Sequence, residues 1–584
     1  MKNERNEVRN FYKESLRFRQ EYKPRLSGWK DKNGILIDDE NAIAARWTEY
    51  FKELLNKAQE IDETEEQEMV YQTAEPYVQS PTLMEVKEAI KNLRNFKAPG
   101  ADNIISEMLK QSESITKEMH KIILNIWDKE DMPEKWRTGI ILPIYKKGDK
   151  LNCENYRGIT LMSVAYKVFS NILLRRLSKY TEEIIGEYQG GFRKARGTVD
   201  QIFSVRQAIE KCYEHSTDLH LLFVDFKQAF DSIVKSKLIN FMYKKGIPRK
   251  IIKLVEMTQK DARAMVMIDG HCGDEFMLTR GVRQGDALSA TLFNLALEAA
   301  VENITDNGHI IYKLRQVCAY ADDVVLIARN EKQLQELYLE MRVETKKIGL
   351  EVNEEKTKYM VVSTREERRR NKNNLRIADR VFEKVEQFVY LGVEINSSNL
   401  ISQEIQRRIM AGNRALYANI KLLKSRLITR KTKLKIYTTL IRPVITYASE
   451  TWNISNNDAN KLRVFERKII RRIYGAIQEN GIWRSRNNME IQEILNEEDI
   501  VRYIKAQRLR WIGHVERMKE HRIPRKIYKA SMTGRRRKGR PRNRWKDEVE
   551  EDLRRMNVRG WREKVKEKKE WRGVVRQAKA HIEL

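Results

Sequence analysis

The run Val317-Cys318-Ala319-Tyr320-Ala321-Asp322-Asp323-Val324-Val325-Leu326-Ile327 decides how this chain folds. Apolar residues, rich in strand formers, flank two adjacent carboxylates. Like charges repel and apolar surroundings desolvate them, so an unpaired Asp-Asp inside a strand is costly. A tight hairpin tip relieves the cost, because a bound cation can neutralise the pair there. The segment 317–328 therefore reads as two strands folded back around Asp322 and Asp323. A lone Asp-Asp is also an ordinary turn or cap, so its meaning depends on its company.

That company begins upstream. Residues 219–226 form a short strand-like run, and Asp225 ends its apolar part, Leu221-Leu222-Phe223-Val224. If this strand lies beside the hairpin, three carboxylates meet at one sheet edge. Such a set could hold two divalent ions about 3.5–4 Å apart, a spacing that clamps the attacking and leaving oxygens of a phosphoryl transfer. Residues 288–301 have helical character, opened by Gly285 and Asp286. The stretch 331–347 is a charged amphipathic helix that stops near Gly349. Strand and helix signals alternate from 135 to 395, which predicts an α+β domain with an antiparallel sheet backed by helices.

The flanks differ. Residues 1–95 read as polar helices with a turn at 28–34, helical spacing at 42–55 and an acidic linker at 60–68. Beyond 400, Ile405, Ile409, Leu416, Ile420 and Leu423 recur at helical spacing, followed by Leu434, Tyr437 and Ile441. This predicts a helical bundle with Lys and Arg on its other face.

Charge narrows the partners. The 584 residues carry 113 Lys and Arg against 83 Asp and Glu, a net charge of +30. The last 84 residues hold 29 Lys and Arg against 11 Asp and Glu, more than half of that excess. Such an excess seeks a polyanion. No run approaches the ~18–20 apolar residues of a membrane span, and the charged N-terminus lacks a secretory signal. Nucleic acid is thus the expected partner and a membrane is not. Cys153, Cys212, Cys272 and Cys318 are scattered, without metal-ligand or disulfide spacing. An intracellular, reducing setting in cytoplasm and nucleus is expected, and His514 and His521 read as surface histidines rather than zinc ligands.

Five segments in order carry a family resemblance. Phe223-Val224-Asp225-Phe226-Lys227-Gln228-Ala229-Phe230-Asp231 resembles motif A of reverse transcriptases, especially those of non-LTR (LINE-type) retrotransposons. Arg280-Gly281-Val282-Arg283-Gln284-Gly285-Asp286-Ala287-Leu288-Ser289 resembles motif B, and Tyr320-Ala321-Asp322-Asp323 motif C. Gly349-Leu350-Glu351-Val352-Asn353-Glu354-Glu355-Lys356-Thr357 is similar to motif D, and Tyr390-Leu391-Gly392 to motif E. Further blocks resemble the family's fingers: Ile141 to Asp149, Asn155-Tyr156-Arg157-Gly158-Ile159, and Gln189-Gly190-Gly191-Phe192-Arg193. Gly158 stands where the family usually has Pro, a departure expected to loosen a turn. Ile441-Arg442-Pro443 through Glu450-Thr451-Trp452, and Arg510-Trp511-Ile512-Gly513-His514-Val515, are also typical of the family.

The resemblance implies a right-hand polymerase with fingers, a palm built on an antiparallel sheet and a helical thumb, followed by a helical basic C-terminal region. It implies a linker at 1–95, fingers and palm at 97–396 (core 126–396), a thumb at 397–475 and a nucleic-acid-binding region at 476–584. Asp225, Asp322 and Asp323, with the backbone carbonyl of Phe226, match the ligands of two Mg2+ ions, Mn2+ being an alternative occupant. Lys356 matches a proton donor to pyrophosphate. Lys146 or Lys147, with Arg157, match the grip on the triphosphate. Phe230 matches the gate that excludes a 2′-hydroxyl, and Gln284 with Gly285 the loop beside the template base or nucleotide. Tyr390, Leu391 and Gly392 match the primer grip.

The implied activity is RNA-directed DNA synthesis on an RNA template, from a DNA primer or target end, with dNTPs. Ahead of residue 97 there is no space for the family's endonuclease, so nicking would come from elsewhere. A catalytically inactive or host-recruited nucleic-acid-binding remnant is the alternative, and an RNA-templated RNA polymerase a third possibility that Phe230 opposes. In the tail, Thr533-Gly534-Arg535-Arg536-Arg537-Lys538-Gly539-Arg540-Pro541-Arg542-Asn543-Arg544-Trp545 resembles an AT-hook, although a solvated basic loop has the same composition. Trp511, Trp545, Trp561 and Trp571 could stack on bases, with helix packing the plainer expectation.

Overall fold

The computed structural model describes residues 28–56, 77–302, 304, 315–371, 373–495, 498–532 and 544–581. The acidic linker at 60–68 and most of the AT-hook-like segment, 533–543, lie outside the described residues.

Helix α1 (Glu40–Asn56) buries Ile43, Ala44, Trp47 and Phe51, one stripe at helical spacing. Strands β1 (Thr138–Tyr145) and β2 (Tyr156–Leu161) form an antiparallel pair. Gly158 sits inside β2 opposite Pro143, so no turn exists there for it to loosen. Two long helices follow, α2 (Val164–Ile184) and α3 (Thr198–Glu214). Next come β3 (Leu219–Val224), the short β4 (Phe226–Lys227) and β5 (Arg263–Ile268), which runs parallel to β1. The order β2-β1-β5 gives a small sheet, and α1 packs on β5.

The main sheet forms around helix α4 (Ser289–Val301) and the hairpin β6 (Arg315–Tyr320) and β7 (Asp323–Ala328). Helix α5 (Glu331–Lys347) precedes β8 (Glu351–Val352), which pairs with β4, and β9 (Lys358–Val362), β10 (Leu375–Ile377) and β11 (Arg380–Lys384) complete the set. The strand order is β6-β7-β3-β9-β11-β10, antiparallel except between β9 and β11. Every residue of β7 from Val324 to Ala328 is buried. A central strand buried on both faces has no solvent face to favour polar residues, so its apolar run is continuous rather than alternating. Burying one such Leu or Val contributes roughly 1.5–3 kcal/mol, so Leu326→Asp would forfeit that and strand a carboxylate in the core. Helix α4 is apolar nearly all round because it is enclosed, with α2 and α5 packed against it.

A further hairpin, β12 (Gln387–Tyr390) and β13 (Val393–Asn396), leads into helices. Helices α6 (Ile401–Ala418) and α7 (Asn456–Tyr474) share a core with Ile436, Tyr437 and Ile441. That core continues through Ile491 and Ile500 to Ile504, in the first turns of α8 (Ile500–Glu516). The rest of α8 packs with α9 (Trp545–Arg555) and α10 (Lys568–Ala580) in a third cluster. Phe203, from α3 far upstream, belongs to this cluster and meets Trp545 edge-on at 4.9 Å. Trp545 and Trp571 are thus buried by helix packing. The four cysteines are free thiols, and no described helix is long and apolar enough to cross a membrane.

Candidate active site

Asp322 and Asp323 stand at the β6–β7 turn. Tyr320 pairs with Asp323, leaving Ala321 and Asp322 as the two turn residues, with Ala321 left-handed at φ 57°. A buried side chain holds this tip. The Gln189 Oε1 atom accepts from the backbone N–H groups of Ala321 and Gly191, both at 2.8 Å, while its Nε2 donates to Ala321 O at 3.3 Å. Gly190 N donates to Ala319 O at 2.8 Å, and Ala319 N donates to Tyr188 O at 2.9 Å. A Cβ on Gly191 would stand 2.3 Å from Ala321 N, so only glycine permits this approach.

Register brings in the third carboxylate. Val324 pairs with Val224 across β7 and β3, and one more step sets Asp225 opposite Asp323. The turn after β8 grips the backbone of Asp225: its N–H donates to Thr357 Oγ1 at 3.2 Å, and its carbonyl accepts from Asn353 N at 2.7 Å. Lys356, in the same turn, places Nζ 3.6 Å from Asp225 Oδ2. Asp323 is exposed along one side. Even so, nearby atoms exclude enough water, and Asp322 and Asp225 add enough negative charge, to push its carboxyl up to about 6. Hard carboxylate oxygens under mutual repulsion suit a hard divalent cation. The three carboxylates stand apart from one another, and among the described residues no three acidic, imidazole or thiol groups are close enough to hold a metal without moving. Phe226, whose carbonyl is the expected fourth donor, lies in β4 with its ring buried.

A cavity of about 270 Å³ opens beside these carboxylates and takes Asp225, Asp322 and Lys356 into its lining, but not Asp323. Lys146 and Arg157 line it from the ends of the β1–β2 hairpin; Lys147 is exposed and does not. Partial burial and the charges of Arg157 and Lys356 lower the pKa of Lys146. Phe230 also lines the cavity, its ring stacked on Phe293 at 4.5 Å. Gln284 lines it too, held by Asp231: Nε2 donates to both carboxylate oxygens at 3.0 and 3.2 Å. Burial pushes the Asp231 carboxyl up to about 6. Gln284 O accepts from Thr160 N at 2.7 Å, and Gly285 follows at φ 127°. A Cβ there would meet Thr160 O at 2.4 Å.

Tyr390, Leu391 and Gly392 form the β12–β13 turn, with Leu391 at φ 46° and Gly392 at φ 78°. Tyr390 is buried 5.9 Å from the Phe223 ring, on the strand that leads to Asp225. Tyr447 donates its hydroxyl to Leu391 O at 3.0 Å, and Arg407 and Arg408 of α6 both donate to Gly392 O. This turn therefore ties the sheet to the helical layer. The residues that sequence reasoning left without a role are Gln189, Asp231 and Thr357. All three sit inside quoted motifs, where their polarity amid glycines or apolar residues was the available signal.

Three carboxylates at a sheet edge, with cations, an aromatic ring and a glycine loop around the adjoining cavity, define the palm of a right-hand nucleic-acid polymerase. Residues 144–395 match the family described as reverse transcriptase (RNA-dependent DNA polymerase), so this segment is a reverse transcriptase domain, and the relatives it resembles are named as polymerases of mobile elements. Reverse transcriptases work with divalent metal ions. The chain is 25% identical over 407 residues to the probable RNA-directed DNA polymerase from transposon BS of Drosophila melanogaster, covering 67% of this chain and 44% of the relative. It is 23% identical over 432 residues to the RNA-directed DNA polymerase from mobile element jockey of Drosophila melanogaster, covering 70% and 46%. The chain thus spans less than half the length of these two relatives. Among solved structures, apo telomerase from Candida tropicalis aligns with a TM-score of 0.35 and 14% identity over 71% of this chain and 74% of that one, a likeness too distant to assign any role.

Proposed function

We propose that the chain is an RNA-directed DNA polymerase that extends a DNA 3′-end on an RNA template using dNTPs. The observation that carries this reading is the β3–β7 register, which sets Asp225 beside Asp322 and Asp323. When bound, two Mg2+ ions, or Mn2+ in their place, would neutralise these carboxylates, favour the ionised primer hydroxyl and stabilise the leaving pyrophosphate. Asp225, Asp322 and Asp323, with the Phe226 carbonyl, would be the ligands. Lys146 and Arg157 would grip the triphosphate, with Lys147 at the rim. Phe230 would lie against the sugar and leave no room for a 2′-hydroxyl. Gln284, held by Asp231, would face the forming base pair, with Gly285 allowing the close approach. The primer hydroxyl gives its proton to solvent; as its oxygen bonds to the α-phosphorus and the bond from that phosphorus to the α–β bridging oxygen breaks, Lys356 would protonate the departing pyrophosphate.

Residues 97–396 would then be fingers and palm, 397–475 the thumb, and 476–584 a basic nucleic-acid-binding region, with Tyr390, Leu391 and Gly392 holding the primer end. The test is extension of oligo-dT on a poly(rA) template with dTTP and Mg2+. Wild type should extend, and Asp322→Asn should abolish extension while leaving RNA binding nearly intact. Unchanged extension by Asp322→Asn, or none by wild type, would overturn the reading.

A further inference from the structure

The cavity has a wall that the reverse transcriptase domain does not supply. Tyr50, Phe51, Leu54 and Leu55 of α1 line it, although α1 lies far upstream of the matched residues 144–395. Phe51 is buried, whereas Tyr50, Leu54 and Leu55 are half-buried and offer apolar surface to the open space. Tyr50 and Leu54 are one helical turn apart, so they share a face.

This wall is fixed in place. Gly158 makes a notch in β2: a Cβ there would stand 2.8 Å from Cε1 of Phe51, whose ring fills the gap. Trp47 stacks on Phe51 at 5.8 Å and meets Trp29 and Tyr156 edge-on at 5.0 and 5.1 Å. At the far end of α1, Asn56 Nδ2 donates to Met277 O at 2.8 Å, and its Oδ1 accepts from Thr279 N and Oγ1, both at 2.9 Å. Swinging α1 away would break an aromatic cluster and three hydrogen bonds together. The glycine that departs from the family's proline thus has a structural counterpart in Phe51.

Other surfaces of the cavity already have partners on the proposed reading. Lys146 and Arg157 suit the triphosphate, and Phe230 suits the sugar. What is left of a nucleotide is a flat, largely apolar base, and the one aromatic and aliphatic wall the cavity offers it is that of α1, the rest of the lining carrying charged groups such as Glu154, Lys235, Arg280 and Arg283. We propose that Tyr50, Leu54 and Leu55 contact the nucleobase end of the forming base pair, with Phe51 as the positioning residue that seats them in the Gly158 notch. This inference rests on the polymerase reading above.

Steady-state extension of oligo-dT on poly(rA) tests it, with thermal melting of each variant alongside. Base–aromatic contacts predict a rise of about 5-fold or more in the KM for dTTP of Tyr50→Ala, with kcat little changed. Leu54→Ala should raise KM in the same direction, and it gives the readout should Tyr50→Ala melt below the assay temperature. Gly158→Ala, whose methyl group would press on Phe51 and on Ile141 Cγ2, should raise KM by displacing Phe51. Wild-type KM in both Tyr50→Ala and Leu54→Ala overturns the inference. So does equal damage to kcat and KM, which would mark α1 as scaffold alone. A wild-type chain that extends no primer overturns the polymerase reading instead, so the two failures are distinct.

Discussion

The ammonium of Lys356 lies 3.6 Å from Oδ2 of Asp225, in a turn that also hydrogen-bonds the Asp225 backbone on both sides. Both side chains are substantially exposed, so the pair adds little to stability. Its use would be chemical. Lys356→Leu should lower kcat for extension by about 100-fold, in the range for loss of a general acid. The KM for dNTP and the melting temperature should barely move. Single-turnover rates at saturating dNTP check this; an unchanged rate removes Lys356 from the chemistry.

Phe230 is braced from behind by the Phe293 ring, so it cannot retreat from a larger sugar. Phe230→Ala removes the brace's target and opens space for a 2′-hydroxyl. Discrimination for dTTP over UTP, measured as the ratio of kcat/KM values, should fall by about 10–200-fold, the range for one steric contact in a pocket. A preserved ratio would show that another group reads the sugar.

Much of this was legible because it is local. The apolar run of 317–328, broken by two aspartates, specifies a hairpin by its own pattern, and so does the helix at 331–347. Asp225 was legible only conditionally, since nothing within 219–226 says which strand will lie beside it. What remained hidden depends on partners far along the chain. Gln189 meets Ala321 across 132 residues, and Phe51 meets Gly158 across about a hundred. Phe203 looks like an ordinary helix residue until its partners in α8 and α9 are seen. Gly158 shows the limit of analogy: glycine in place of the family's proline suggested a turn, whereas β1 pairing makes the site a strand.

Gln189 supports the aspartates without touching a substrate. Replacing it by Leu strands the buried N–H groups of Ala321 and Gly191, at about 1–3 kcal/mol each. Gln189→Leu should therefore lose on the order of 3 kcal/mol in urea unfolding. Because the turn carries Asp322, extension should also slow at a temperature where the variant remains folded. Loss of stability with a normal rate would separate the strut from the site.

Glu466 makes the helical layer sensitive to pH. It is buried on α7, where Oε1 accepts from the Tyr437 hydroxyl at 2.6 Å and Oε2 from Ile500 N at 2.7 Å. Burial pushes its carboxyl up to about 7, against the pull of those hydrogen bonds and with Asp499 adding to the rise. In the unfolded chain the group titrates near its ordinary 4.5. Between those values the folded state keeps a proton that the unfolded state has lost, so stability falls as pH rises through the window and the loss is complete above about 7. The full effect is at most about 3 kcal/mol. Glu210, also raised to about 7, and Asp231, raised to about 6, act with the same sign, so the wild-type slope reflects more than one group. Glu466→Gln isolates its share: the amide can accept from Ile500 N and donate to the Tyr437 oxygen without ionising. Its melting temperature should fall less between pH 5 and pH 8 than that of wild type, and the two should differ most at pH 8. Parallel curves would mean that Glu466 is ionised in the folded protein, with the positive charge of nearby Arg442 outweighing burial.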